Sequence, residues 1–214
     1  DNLTPASWTL TTDEPGDDGK DSKTFADIIT GTYDAAETVP GGWNLVSATC
    51  DDGSPVTAIS LQGGETVTCT FHNELERGTI IVEKITDDGA GSFNYTSSTL
   101  DPAAFTLTTT EPGDDGAVST TFAGILVGNY DVAETVPAGW NLVSAACDDG
   151  SPVSAIDLSD GETVTCTFHN AREKGGIDIL KLRKHAADGP GDHPQAGVTF
   201  TVTGGEAPLE GVTA

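Results

Sequence analysis

The chain has 214 residues, with 34 Asp or Glu against 9 Lys or Arg and a formal net charge of -25 at pH 7. A field of that sign repels nucleic acid and anionic lipid, which makes both poor candidate partners. No run approaches the ~18 apolar residues that cross a bilayer, no signal peptide is visible, and the pattern is cut at both Asp1 and Ala214, as in a piece of a longer protein.

In chain order, the first feature is a repeat. Residues 9–73 align without a gap to residues 106–170, with 50 of 65 positions identical at an offset of 97. That spacing fits one sandwich domain and is too long for a solenoid unit. Three units follow. Residues 1–77 are a first repeat lacking its opening strand, 78–174 a complete repeat, and 175–214 the opening strands of a third. The joints, Glu74–Arg77 and Ala171–Lys174, are short and polar, which suggests a stiff string of domains.

Within the complete repeat, alternating apolar runs bounded by Gly, Pro and Asp predict strands. They cover Thr79–Lys84, Phe105–Thr109, Thr121–Leu126, Tyr130–Val136, Trp140–Ala145 and Thr163–Asn170, with turns at 111–116, 147–152 and 159–162. No helical periodicity intervenes. The class is all-β, as tandem Ig-like β-sandwiches.

The four cysteines form two equivalent sets, Cys50/Cys69 and Cys147/Cys166, without C-x-x-C spacing. One set per repeat reads as one disulfide per repeat in an oxidising compartment. Two buried free thiols per repeat are the alternative.

Strand parity exposes a chemical anomaly, because side chains alternate between faces. Val164, Cys166, Phe168 and Asn170 share one face, as do Ile80, Val82 and Lys84, and Tyr130, Val132, Glu134 and Val136. A lysine, a glutamate and an asparagine thus fall on core faces of one small domain. Desolvation lowers a lysine pKa and raises that of a glutamate. A neutral Lys84 amine can then attack the Asn170 carboxamide while Glu134 relays protons and ammonia leaves. The product is an amide linking the first and last strands, formed once per domain. The plainer outcome is a Lys84–Glu134 ion pair with Lys84 snorkelling at the sheet edge and Asn170 capping a turn.

The runs Gly78–Lys84, Gly128–Glu134, Pro137–Trp140 and Gly161–Asn170, in this order, resemble the prealbumin-like, SpaA/Cna-B type repeat domains of bacterial surface proteins and pilins. The resemblance implies a prealbumin-like sandwich, an extracellular or cell-surface location on a bacterium, and a role as stalk, pilus shaft or adhesin. It also implies a Lys–Asn isopeptide bond assisted by an acidic residue, falling on Lys84, Asn170 and Glu134. In the first repeat Glu37 and Asn73 hold the equivalent positions, and in the third unit Lys181 does. This chain departs from Gram-positive pilins in its cysteines and its acidity.

Partners are neighbouring domains or copies of the same chain, including head-to-tail addition of residues 176–184 to the first repeat of another copy. No cofactor is implied. Acidic turns such as Asp51-Asp52, Asp114-Asp115 and Asp148-Asp149 offer oxygens to calcium, but lack EF-hand spacing and read by default as solvated turns. His72 and His169 point outward; His185 and His193 fall in the third unit. No catalytic triad, phosphate loop or zinc motif occurs, so the chain reads as a non-enzyme. Trp43 and Trp140 read as packing residues, and Asn2 and Asn94 match the glycosylation sequon. Near-identical loops in both copies favour a structural repeat. An adhesive module for glycan or protein, or an accessory domain of a larger secreted enzyme, is the alternative.

Overall fold

A computed structural model describes residues 6–13, 19–181 and 199–204. The chain forms two units, Asp1–Lys174 and Gly175–Ala214. In the second unit, residues 175–181 and 199–204 lie in no strand. The other residues assigned to a third domain, with His185 and His193, lie outside the described residues, as do Asn2 and most of the acidic turn at 13–18.

Among the described residues, the elements of the first unit are strands, with a short 3-10 turn at Asp114–Gly116. Its first repeat contributes β1 (Gly31–Tyr33), β2 (Trp43–Cys50), β3 (Ile59–Leu61) and β4 (Cys69–Leu75). The complete repeat contributes β5 (Arg77–Thr86), β6 (Ser92–Thr96), β7 (Ala104–Thr108), β8 (Val118–Leu126) and β9 (Gly128–Tyr130). It continues with β10 (Ala133–Thr135), β11 (Trp140–Cys147), β12 (Ile156–Leu158) and β13 (Thr163–Arg172).

The complete repeat is a sandwich. One sheet has the order β11-β13-β5-β8, the facing sheet β10-β6-β7, with β9-β12 as a small extra pair. Strand β5 carries Ile80, Ile81 and Val82, β-branched residues that suit a pleated surface. Its burial alternates along the whole strand, as does that of β13 up to Asn170. The inward residues Ile80, Val82, Val164, Cys166 and Phe168 are all but inaccessible to solvent. Across from them the Tyr95 ring stacks on Phe105 and meets Phe168 edge-on, each at 5.1 Å. Such contacts add to the area buried by the rings themselves.

Strand β13 runs parallel to β5 in the centre of its sheet, from Thr163↔Thr79 to Asn170↔Thr86. The first and last strands of the domain are therefore neighbours. Every other pairing among the described residues is antiparallel.

Three differences from the sequence reading have physical causes. The run Tyr130–Val136 is two strands, β9 and β10, on different partners. It breaks where the Asp131 amide donates to Thr99 Oγ1 and its carboxylate accepts from Ser98. Strands β6 and β12 are additional elements, supplied by Phe93/Tyr95 and Ile156/Leu158 alternation. The joint between repeats is a single residue, Glu76, because β4 runs to Leu75 and β5 starts at Arg77.

Residues 9–12 and 24–29 nearly duplicate parts of β7 and β8 yet form no strand. In the complete repeat β8 pairs with β5 and β7 with β6, and the described part of the first repeat has no counterpart of β5 or β6. A strand is a property of the pair.

Both disulfides are present, Cys50–Cys69 and Cys147–Cys166. Each joins residues directly opposite one another, in β2/β4 and β11/β13. Closing a loop with a sequence separation of 19 stabilises by about 3 kcal/mol, mainly through the unfolded chain. Replacing Cys147 and Cys166 together with Ala is expected to lower the unfolding free energy of the complete repeat by about that amount, read from the shift of its urea midpoint.

Candidate cross-linking site

Three strands converge on one buried point. Lys84 comes from the latter half of β5, Asn170 from β13 and Glu134 from β10 in the facing sheet. Parallel pairing sets Lys84 opposite Phe168, two residues from Asn170 and on the same face. Glu134 reaches across the sandwich from beside Tyr95.

Lys84 and Asn170 have 0% exposure, and the Glu134 side chain is 1% exposed. The Lys84 Nζ lies 3.0 Å from Glu134 Oε1. It donates to Asn170 Oδ1 and, at 3.2 Å, to the Phe168 carbonyl. Asn170 Nδ2 donates to Glu134 Oε2 at 3.1 Å. One carboxylate therefore touches the amine with one oxygen and the carboxamide nitrogen with the other. Among the described residues no buried side-chain polar atom lacks a partner.

Two residues that the sequence reading did not single out complete the site, both from β6. Tyr95 donates its hydroxyl to Glu134 Oε1 at 3.2 Å, fixing the carboxylate. The Phe93 ring lies under the amine, its centroid 4.1 Å from Nζ, a favourable cation–π position. The available signal was the alternation Phe93-Asn94-Tyr95 between small polar residues.

Burial holds the Lys84 amine below the usual lysine range, against an upward pull from the hydrogen bond and charge of Glu134. Burial, then the Glu134 charge, push the Tyr95 phenol above its ordinary value. Tyr95 therefore stays a hydrogen-bond donor at any ordinary pH.

The other marked residues lie elsewhere. In the first repeat Asn73 Nδ2 donates to Glu37 Oε1 at 3.0 Å, the counterpart of the Asn170–Glu134 bond. Lys181 is exposed, in no strand. His72 is exposed, but His169 is only partly so, because its Nε2 lies 2.6 Å from Asp87 Oδ1. Trp140 is buried beneath the Arg172 guanidinium, whereas Trp43 is 37% exposed. Asp52 and Asp149 each accept from the amide and hydroxyl of the serine two residues on, which makes them turn-forming residues. Among the described residues no three His, Cys, Asp or Glu side chains converge as a metal site, and no helix is long and apolar enough to cross a membrane.

A family model described as a prealbumin-like fold domain, of the SpaA type, matches residues 1–75 and 80–172. No curated protein sequence matches the chain. Similar solved structures include the major pilin protein T3.2 of Streptococcus pyogenes serotype GAS13637, at 15% identity. The match covers 67% of this chain and 68% of that one, with a TM-score of 0.35. The T-13 major pilin of serotype GAS131465 is 13% identical over 72% and 71% of the two chains, with a TM-score of 0.35. Another S. pyogenes major pilin is 13% identical over 69% and 73%, with a TM-score of 0.32. With the family model spanning most of both repeats, the chain belongs to the SpaA-type prealbumin-like fold domain family.

Proposed function

We propose that the chain is a shaft segment of an extracellular bacterial fibre or stalk, and that its complete repeat locks itself with a Lys84–Asn170 isopeptide bond. The observation that carries this reading is the Glu134 carboxylate, 3.0 Å from the attacking nitrogen and 3.1 Å from the departing one. Glu134 accepts a proton from Nζ as that nitrogen bonds to Cγ of Asn170. The proton passes to Nδ2, the Cγ–Nδ2 bond breaks, and ammonia leaves. No oxidant or cofactor enters. The reaction runs once per molecule, so it is maturation and not enzymatic turnover.

The adhesive alternative draws on a shallow depression of about 410 Å³ beside Ser98, Thr99 and Asp131. There the Asp131 carboxylate already accepts bonds from Ser98 and Thr99, which favours a structural role for it.

Intact mass of the reduced chain tests the bond. The expected result is a deficit of one ammonia for the wild type and none for Glu134→Ala, Lys84→Ala or Asn170→Ala. A wild-type mass with no deficit contradicts the reading.

In the uncross-linked Asn170→Ala variant, the folded Lys84 pKa lies below the unfolded 10.5 because burial disfavours the charge. As pH rises through the folded value the buried amine sheds its proton, while the unfolded chain still holds its own. Stability therefore rises with pH in the window below 10.5. Urea unfolding at increasing pH should show this slope, and adding Lys84→Met should remove it.

The same chemistry extends to copies of the chain. Strand β4 pairs with β2 alone among the described strands, leaving Glu37 and Asn73 beside an edge that β13 fills with β5. Ile177, Ile179 and Lys181 repeat the pattern of Ile80, Val82 and Lys84 and are exposed. Addition of that segment from a second copy would bring an amine to Asn73. A concentrated wild-type sample should give a ladder of covalent multimers in a reducing denaturing gel, abolished by Asn73→Ala or Lys181→Arg. A single monomer band rejects the head-to-tail contact.

A further inference from the structure

The two repeats differ at 15 of 65 aligned positions, and one difference sits at their junction. In the complete repeat the turn before β13 reads Ser159-Asp160-Gly161-Glu162; in the first repeat it reads Gln62-Gly63-Gly64-Glu65. Both turns are built alike. Glu162 Oε2 accepts from the Ser159 amide at 2.8 Å, and Glu65 Oε2 accepts from the Gln62 amide at 2.9 Å. The return bonds, from Glu162 N to Ser159 O and from Glu65 N to Gln62 O, are both 3.3 Å. The turn therefore forms with glycine at its second position, and the Asp160 carboxylate is not required to make it.

That carboxylate instead spans the junction. Asp160 Oδ2 accepts from the side-chain amide of Asn44 in the first repeat at 2.6 Å. Asp160 Oδ1 accepts from the backbone amide of Arg77, the first residue of β5, at 3.1 Å. The backbone around it is tied from both sides. Glu76 N donates to Gly42 O of the first repeat, and Glu76 O accepts from Val127 N of the complete one. Gly161 N donates to Arg77 O, and the Arg77 side chain donates to Gly124 O at 2.6 Å. The lower half of such a junction recurs further on, where Glu173 N donates to Gly139 O at 2.9 Å.

We propose that the Asp160 turn is a docking surface for the preceding repeat, and that the Asn44–Asp160–Arg77 contact latches consecutive repeats into one orientation. The partner it fits is the Trp-Asn end of β2 in the adjoining repeat. Small inter-domain interfaces ordinarily permit relative motion. Here a charge-assisted hydrogen bond closes the one swivel point left by a single-residue joint. The latch extends the shaft reading but does not depend on the isopeptide, which lies at a separate site.

The test uses residual dipolar couplings on the full chain. In the wild type, residues 43–75 and 77–172 are expected to fit one alignment tensor. In Asp160→Gly, which copies the turn of the first repeat, and in Asn44→Ala, the two tensors should diverge, with the smaller falling by a factor of about two or more as the repeats swivel. Intact mass of both variants should equal that of the wild type after allowing for the substitution, keeping this outcome separate from the fate of the cross-link. A common tensor retained in both variants would show that the backbone bonds alone set the orientation, and would overturn the latch.

Discussion

A lysine amine held out of water is the constraint around which the complete repeat is built. An uncompensated buried charge costs several kcal/mol, so Lys84 at 0% exposure demands partners. It finds the Glu134 carboxylate, the Asn170 carboxamide, the Phe168 carbonyl and the Phe93 ring. Each partner comes from a different strand position, and the sheet order follows from bringing them together. Strand β13 must lie beside β5, in parallel, for Asn170 to share a face with Lys84. Strand β10 must pair with β6 for Glu134 to reach over from the facing sheet with Tyr95 behind it.

The same arrangement defines a path for tension. The chain enters the complete repeat at Arg77 and leaves at Arg172. Pulling on those points shears two parallel neighbours along their length, loading the ladder between β5 and β13 as a whole. An amide between Lys84 and Asn170 would carry load from the entry strand to the exit strand without passing it through the core. At the entry the load comes straight from β4, because one residue separates it from β5. A surface of high net charge favours solubility, and the paired cysteines brace β13 against β11.

Much of this was legible because strand parity is a local property. Alternation alone placed Lys84 with Ile80 and Val82, and Asn170 with Phe168 and Cys166. It also placed Glu134 with Val132, although the strand there is broken. The break depends on Asp131 bonding to Ser98 and Thr99, more than 30 residues away, which no local pattern reports. Tyr95 and Phe93 escaped notice because β6 is short and interleaved with Ser, Asn and Thr. Parity alone would leave His169 solvated, but it is half-buried against Asp87, which lies 82 residues away. Asp160 aligns with Gly63, and its meaning needs the geometry of a one-residue joint.

Stretching the chain by its ends under reducing conditions, one molecule at a time, tests the central claim most directly. With Lys84 joined to Asn170, the 86 residues separating them stay locked, and the complete repeat should yield no large extension. Release of roughly 300 Å from that segment in the reduced wild type would contradict the account, leaving an ion pair in place of a weld.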